Sequence, residues 1–236
     1  MSSVTASLHR PQRWTWPRSG AAAALVLGTP IWASVVMLVS LHTPVLAQVQ
    51  SIDFGQERPS AEVRAVAHGV MQSGDHQALP FVLVDKHHAR VFVFDRHGHL
   101  QGASPALLGL ARGDEGVAGI GDRPLSSIQP WERTTPAGRF VATMGRNVAD
   151  QAILWVDYEQ GISLHPVRPH PAKERRLQRL ASPEPDDNRI SYGCINVPVA
   201  FWQKVVVPTF AQQIGVVYVL PDTLPLSAVF EMPLAP

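Results

Sequence analysis

The sequence predicts a single, mostly β domain with a few short helices, and three observations carry that prediction. Short apolar runs of β-type residues recur between turn signals along most of the chain. Proline (21) and glycine (17) are abundant, which implies many loops. No internal repeat or low-complexity tract divides the 236 residues, and the length left after an N-terminal leader suits one domain with a sizeable core.

Arg10, Arg13 and Arg18 are the only charged residues before Asp53, and Ser19 to Leu41 is apolar or small apart from the break at Pro30. That is a positive n-region followed by an h-region. Val45-Leu46-Ala47 ahead of Gln48 suits a signal peptidase, so cleavage is expected after Ala47. The alternative is a retained membrane anchor, because the 22 residues from Gly20 to Leu41 are enough to span a bilayer. Either way the remainder is expected outside the cytoplasm, in the periplasm or cell envelope, and the absence of a twin-arginine pair favours the general secretory route. Three of the 20 basic residues and none of the 19 acidic ones precede Gln48, leaving 17 against 19 and a formal charge of −2. Nothing in that balance points to nucleic acid as a partner.

In the exported part, Ser60 to Gln72 combines an N-cap serine with apolar residues at Val63, Val66, Ala67 and Val70, the pattern of a short amphipathic helix. Phe81–Asp85, Arg90–Phe94 and His99–Ala103 follow as β runs separated by Lys-His-His and Arg-His-Gly turns, which predicts a β-meander. A Gly-rich connection, Gly109 to Gly121, leads to Thr134–Thr143, where a turn feeds another strand. Gln151–Asp157 and Gly161–His165 form the next antiparallel pair around Tyr158-Glu159-Gln160, with Pro166 expected to stop the second strand at His165. Pro169 to Asn188 is polar, with a short helix within Ala172–Leu180 and a loop at Pro183–Asp187. It reads as a solvated surface excursion, with a lid over the site as the alternative. Val199–Val206 is a helix beginning near Pro198, and Gly215–Leu220 is the closing strand. His87, His88, His97 and His99 fall in turns and are expected to face solvent, since no ligand spacing recurs around them. Trp131, Trp155 and Trp202 are expected to serve the core rather than line a cleft.

Cys194 is the chain's only cysteine. In an oxidising compartment it has no partner for an internal disulfide, which makes a nucleophile the leading explanation and a buried small hydrophobe the alternative. Gly193 beside it allows close approach to the backbone. A thiol is only slightly ionised at neutral pH, so the nucleophile needs a base. His165, at the end of its strand, is the candidate.

Thr135-Pro136-Ala137-Gly138-Arg139-Phe140, Ile162-Ser163-Leu164-His165 and Ser191-Tyr192-Gly193-Cys194-Ile195-Asn196 occur in the order found in the L,D-transpeptidase catalytic domain (YkuD-like), the penicillin-insensitive enzymes that cross-link peptidoglycan. The resemblance spans Pro80 to Asp222. It divides the chain into a leader (1–47), an extension with a short helix (48–79), a catalytic-type domain (80–222) and a tail (223–236). It implies a β-sandwich-like domain and two-step acyl transfer on peptidoglycan stem peptides without a metal or organic cofactor. On that resemblance Cys194 is the nucleophile, His165 its general base, and the Gly193 and Cys194 N–H groups the oxyanion donors. Ser191 and Asn196 support the loop, and Tyr192, Asn196 and Arg189 lie against substrate. Two positions depart from the family pattern: Tyr192 replaces the histidine common before Gly-Cys, and Pro166 follows the base where Gly or Ser is usual. Pro169 to Asn188 lengthens the stretch between base and nucleophile. A hydrolase of the same fold and a wall-binding protein without turnover are the alternatives.

Overall fold

The computed structural model describes residues 52–234; the expected leader lies outside them. The fold is sheet-rich. Its strands are β1 (Phe81–Asp85), β2 (Arg90–Phe94), β3 (Leu100–Pro105), β4 (Leu108–Gly109), β5 (Gly138–Arg146), β6 (Ala152–Asp157), β7 (Ile162–Pro166), β8 (Arg189–Ser191), β9 (Ile195–Val197) and β10 (Gly215–Val219). Eight of them form one sheet in the order β3-β2-β1-β10-β5-β6-β7-β9, and β4 pairs with β8.

Long β5 sets the shape. Its first half pairs with β10 and its second half, from Thr143, pairs with β6. The strand therefore turns the corner between two leaves of the sheet. Val82, Val91 and Val217 of one leaf and Leu154, Leu164 and Ile195 of the other share one apolar interior. The residue after Ala106 joins the two ends: Leu107 and Asn196 exchange both backbone hydrogen bonds, at 2.8 and 2.9 Å, so β9 is tied to the segment leaving β3. The result is a nearly closed, barrel-like sheet. The two facing layers that a sandwich would supply are here two leaves of one continuous sheet.

The interior is plugged by α3 (Val199–Phe201), a π-helical stretch (Trp202–Val206) and α4 (Val207–Phe210), which run on without a break and bury Trp202, Val206 and Phe210. Pro208 has no N–H to give and would crowd the preceding turn, and the π stretch just before it accommodates both problems. On the outer face, α1 (Ala61–Ser73) packs Val63, Val66, Ala67 and Val70 against Phe81, Leu83, Phe92 and Phe94. Ser60 caps it by accepting from the Val63 N–H at 3.2 Å, and Gly74 ends it in the left-handed conformation at φ 69°. Because α1 covers one face and the barrel interior the other, β1 and β10 are buried on both sides. Their sequences, Phe-Val-Leu-Val and Val-Val-Tyr-Val, are accordingly continuous apolar runs rather than alternating ones.

The β1-β2-β3 meander and the antiparallel β6-β7 pair form as the sequence predicts. Several details differ. Pro166 does not stop β7 at His165: pairing with β6 has already ended at Leu164, and the parallel partner β9 is reached by the Val167 N–H, which donates to Val197 O at 2.8 Å. The missing proline N–H is therefore not needed. The predicted 172–180 helix is split by Arg175, at φ 50°, into a 3₁₀ turn (Ala172–Glu174) and α2 (Arg176–Leu180). The expected loop before Arg189 is a 3₁₀ turn at Pro185–Asn188. Trp202 is in the core, while Trp131 is 73 % exposed.

Candidate active site

The link from β8 to β9 consists of Tyr192, Gly193 and Cys194 alone. Ser191 fastens it at both ends: its Oγ accepts from the Gly193 N–H at 3.0 Å and donates to Cys194 O at 2.6 Å. Gly193 adopts φ 125°, and a Cβ there would come within 2.6 Å of both Ile162 Cδ1 and Thr134 O. Only glycine fits a backbone both left-handed and this enclosed. Fully buried Thr135 holds the turn from below, accepting from the Gly109 N–H at 2.9 Å and donating to Gly193 O at 2.8 Å. Gly193→Ala is expected to displace the thiol and to cost about 1–3 kcal/mol from the forced clash. A urea titration measures the cost, and an unchanged midpoint contradicts it.

Parallel pairing of β7 with β9 places Leu164 opposite Ile195 and His165 opposite Asn196. Leu164 and Ile195 face the barrel interior, so strand alternation sends Ser163, His165 and Asn196 to the other face. Cys194 lies on that face too. Cys194 is partly exposed, and its sulfur is 3.6 Å from Ser163 Oγ and donates to Gly161 O at 3.6 Å. The imidazole is occupied differently. His165 Nδ1 is 2.9 Å from Pro166 O, which can only accept, so the proton is on Nδ1. Nε2 then carries the lone pair and accepts from Asn196 Nδ2 at 3.1 Å. Burial lowers the His165 pKa to about 4, with the Pro166 bond opposing and the positive charges of Arg168 and Arg176 adding to the fall. The ring is thus a neutral acceptor at physiological pH. It shares a face with the thiol, about one strand repeat along, and its hydrogen bonds go to Pro166 and Asn196 rather than to sulfur.

Several expectations are corrected by this geometry. The Gly193 N–H, expected to face an oxyanion, is spent on Ser191 Oγ. The Cys194 N–H meets no acceptor among the described residues. Asn196 has no exposed surface and holds the imidazole instead of touching substrate. Arg189, also expected against substrate, is buried and pairs with Asp222, its Nη2 at 2.7 Å from Oδ1, while donating to Lys86 O at 2.8 Å. Tyr192 is half-buried, its ring lying 4.0 Å from the Arg133 guanidinium.

Three contributors were not singled out from sequence. Ser163 touches the sulfur, Thr135 fixes the turn, and Arg176, from the inserted polar stretch, donates to Asn196 Oδ1 at 2.8 Å. Ser163 had a signal, since it lies two residues before His165 on one strand and therefore on the same face. Arg176 had none, because its contact depends on how the insertion folds back. His87, His88, His97 and His99 are exposed at turns, away from this site. Compared with known protein families and with curated proteins, the chain matches no family model and no curated protein.

Proposed function

We propose that this chain is an exported cysteine acyltransferase acting on peptidoglycan stem peptides, an L,D-transpeptidase of the sandwich-type fold, without metal or organic cofactor. The observation that carries the reading is a partly exposed cysteine, held in a Ser191-pinned turn, on the same face as a neutral imidazole. Cys194 Sγ attacks the carbonyl joining the third stem residue to the terminal D-alanine, and its proton passes through one water to His165 Nε2 as Asn196 Nδ2 gives way. The imidazolium returns that proton to the departing D-alanine amine. The thioester is then taken by the amine of another stem, or by water if the protein is a hydrolase. The Cys194 N–H is the donor for the developing oxyanion.

The test incubates the purified protein with disaccharide tetrapeptides and follows products by mass spectrometry. Cross-linked dimer with free D-alanine supports transfer; tripeptide with free D-alanine assigns hydrolysis. One second reading has observations in its favour: the spent Gly193 N–H and the Asn196-capped imidazole suit a wall-binding protein without turnover. Failure of a carbapenem or mild alkylator to label Cys194, with sedimentation on sacculi retained, selects it.

The lowered pKa gives a prediction with a definite sign. A histidine whose folded pKa falls to about 4 stays neutral as pH drops from 8 to 5. Ring resonances of His165 are therefore expected to stay flat over that window and to move only near pH 4. A midpoint near the ordinary value of about 6.5 contradicts the described burial.

A further inference from the structure

We propose that Arg176, carried by the inserted segment between β7 and β8, is a positioning residue that fixes the Asn196 amide and through it keeps a lone pair on His165 Nε2. The inference deepens the reading above, because that lone pair is the proposed base. Its evidence is a chain of three side chains from separate elements. Arg176 Nη1 lies 2.8 Å from Asn196 Oδ1, and Asn196 Nδ2 lies 3.1 Å from His165 Nε2. Glu174 also holds the guanidinium, its Oε2 lying 2.6 Å from Nε.

A guanidinium has five N–H donors and no acceptor, so the asparagine atom facing it has to be the oxygen. The amide NH₂ is then forced toward the imidazole, and an NH₂ group can face only a ring nitrogen that bears no proton. Flipping Asn196 would set donor against donor at Arg176 and lone pair against lone pair at Nε2. Each half of that misfit leaves a buried polar group without a partner. Asn196 is fully buried, so water offers no substitute. The insertion thus reaches the reacting face through one side chain, as a brace for the base.

Without Arg176 the constraint on Asn196 is gone. The amide can turn Oδ1 toward Nε2, where it accepts from an N–H. With Pro166 O already accepting at Nδ1, the doubly protonated ring then has an acceptor at each nitrogen and loses the nearby charge of Arg176. Arg168 is then the remaining positive charge acting on the ring, and Glu174 loses its partner.

The experiment is an NMR measurement of the His165 ring nitrogens and their titration in the purified protein and in Arg176→Met, Arg176→Lys and Asn196→Asp. In the parent protein, Nε2 is expected to lack a proton down to about pH 4. Arg176→Met and Asn196→Asp are expected to raise the midpoint above the parent's, so that Nε2 gains its proton at a higher pH. Arg176→Lys, still a donor without an acceptor, should keep the parent pattern. A folded Arg176→Met with unaltered nitrogen shifts and midpoint overturns the proposal. If that variant does not fold, an unaltered pattern in Asn196→Asp does so. Parent protein that shows the expected nitrogen pattern but no acyl transfer overturns the proposed function and leaves the positioning role standing.

Discussion

Lys86→Met is expected to lower the stability of the folded protein by about 3–5 kcal/mol, the scale for removing one partner of a buried ion pair. The lysine side chain has no exposed surface. Its ammonium donates to Gly113 O at 2.6 Å, Asp114 Oδ1 at 2.9 Å and Thr135 O at 2.9 Å, with Asp222 Oδ2 at 3.5 Å. Methionine fills a similar volume, so the loss is electrostatic and not a cavity. It strands Asp114, which accepts from the Thr223 and Leu224 N–H groups at 2.8 Å and thereby holds the C-terminal turn to the long connection after β4. Asp222 keeps its pairing with Arg189, the Gly113 N–H at 3.2 Å and a contact from Arg112 at 3.8 Å. A melting temperature lower by roughly 6–20 °C is the expected reading. A loss under about 1 kcal/mol would show that the lysine is not what secures these three segments.

The pH dependence has a sign that separates this account from a packing defect. Burial works against the Asp114 and Asp222 carboxylates, but hydrogen bonds and the Lys86 and Arg189 charges outweigh it and hold both below the ordinary range. Their contribution to stability is fully present above the unfolded value of about 4 and is lost as pH falls through the lowered folded values. Burial lowers the Lys86 pKa, yet with two carboxylates beside it the ammonium remains charged at neutral pH. In Lys86→Met the carboxylates lose a cation and their folded pKa values rise. Acid then relieves the variant while it weakens the parent, so the gap between them narrows from pH 7 toward pH 3. A cavity would leave it constant.

What could be read from the chain follows the range of the interaction. β1 and β10 are legible because burial on both faces writes itself locally as an unbroken apolar run, and α1 is legible because its cap, period and terminal glycine lie within fifteen positions. β4, β8 and β9 are two or three residues long, too short for any period to register. Lys86 illustrates a deeper limit. In Lys-His-His after a strand it reads as a solvated turn residue, and its burial depends on Asp114, 28 positions away, and on Asp222, whose own N–H bonds Asp114 across 108 positions. In the site, Ser191, Gly193 and Cys194 were recognisable as a local motif. That the Gly193 N–H goes to Ser191, that Asn196 is buried against His165, and that Arg189 pairs with Asp222 depend on pairings the motif does not encode. The site and the ion cluster also meet: Thr135, whose hydroxyl anchors Gly193, gives its carbonyl to Lys86.

On the proposed reading, Cys194→Ser leaves a folded protein that has lost acyl transfer by a factor on the order of 10⁴–10⁶, the scale for removing a covalent nucleophile. Fold retention follows from the site. Cys194 is partly exposed, and the polar neighbours of its sulfur, Ser163 Oγ and Gly161 O, both at 3.6 Å, suit a hydroxyl as well as a thiol. Melting within a few degrees of the parent is expected. Loss of transfer follows from the base. An imidazole lowered to about 4 by burial and two nearby arginines is a weak proton acceptor. A thiol is far more acidic than an alcohol and is intrinsically nucleophilic, so it can use such a base where serine cannot. Product formation from disaccharide tetrapeptides, read beside the melting curve, decides the matter. A folded serine variant that still releases D-alanine at a tenth of the parent rate or more would mean that the bond is broken by a group other than residue 194, and the covalent route would have to be abandoned.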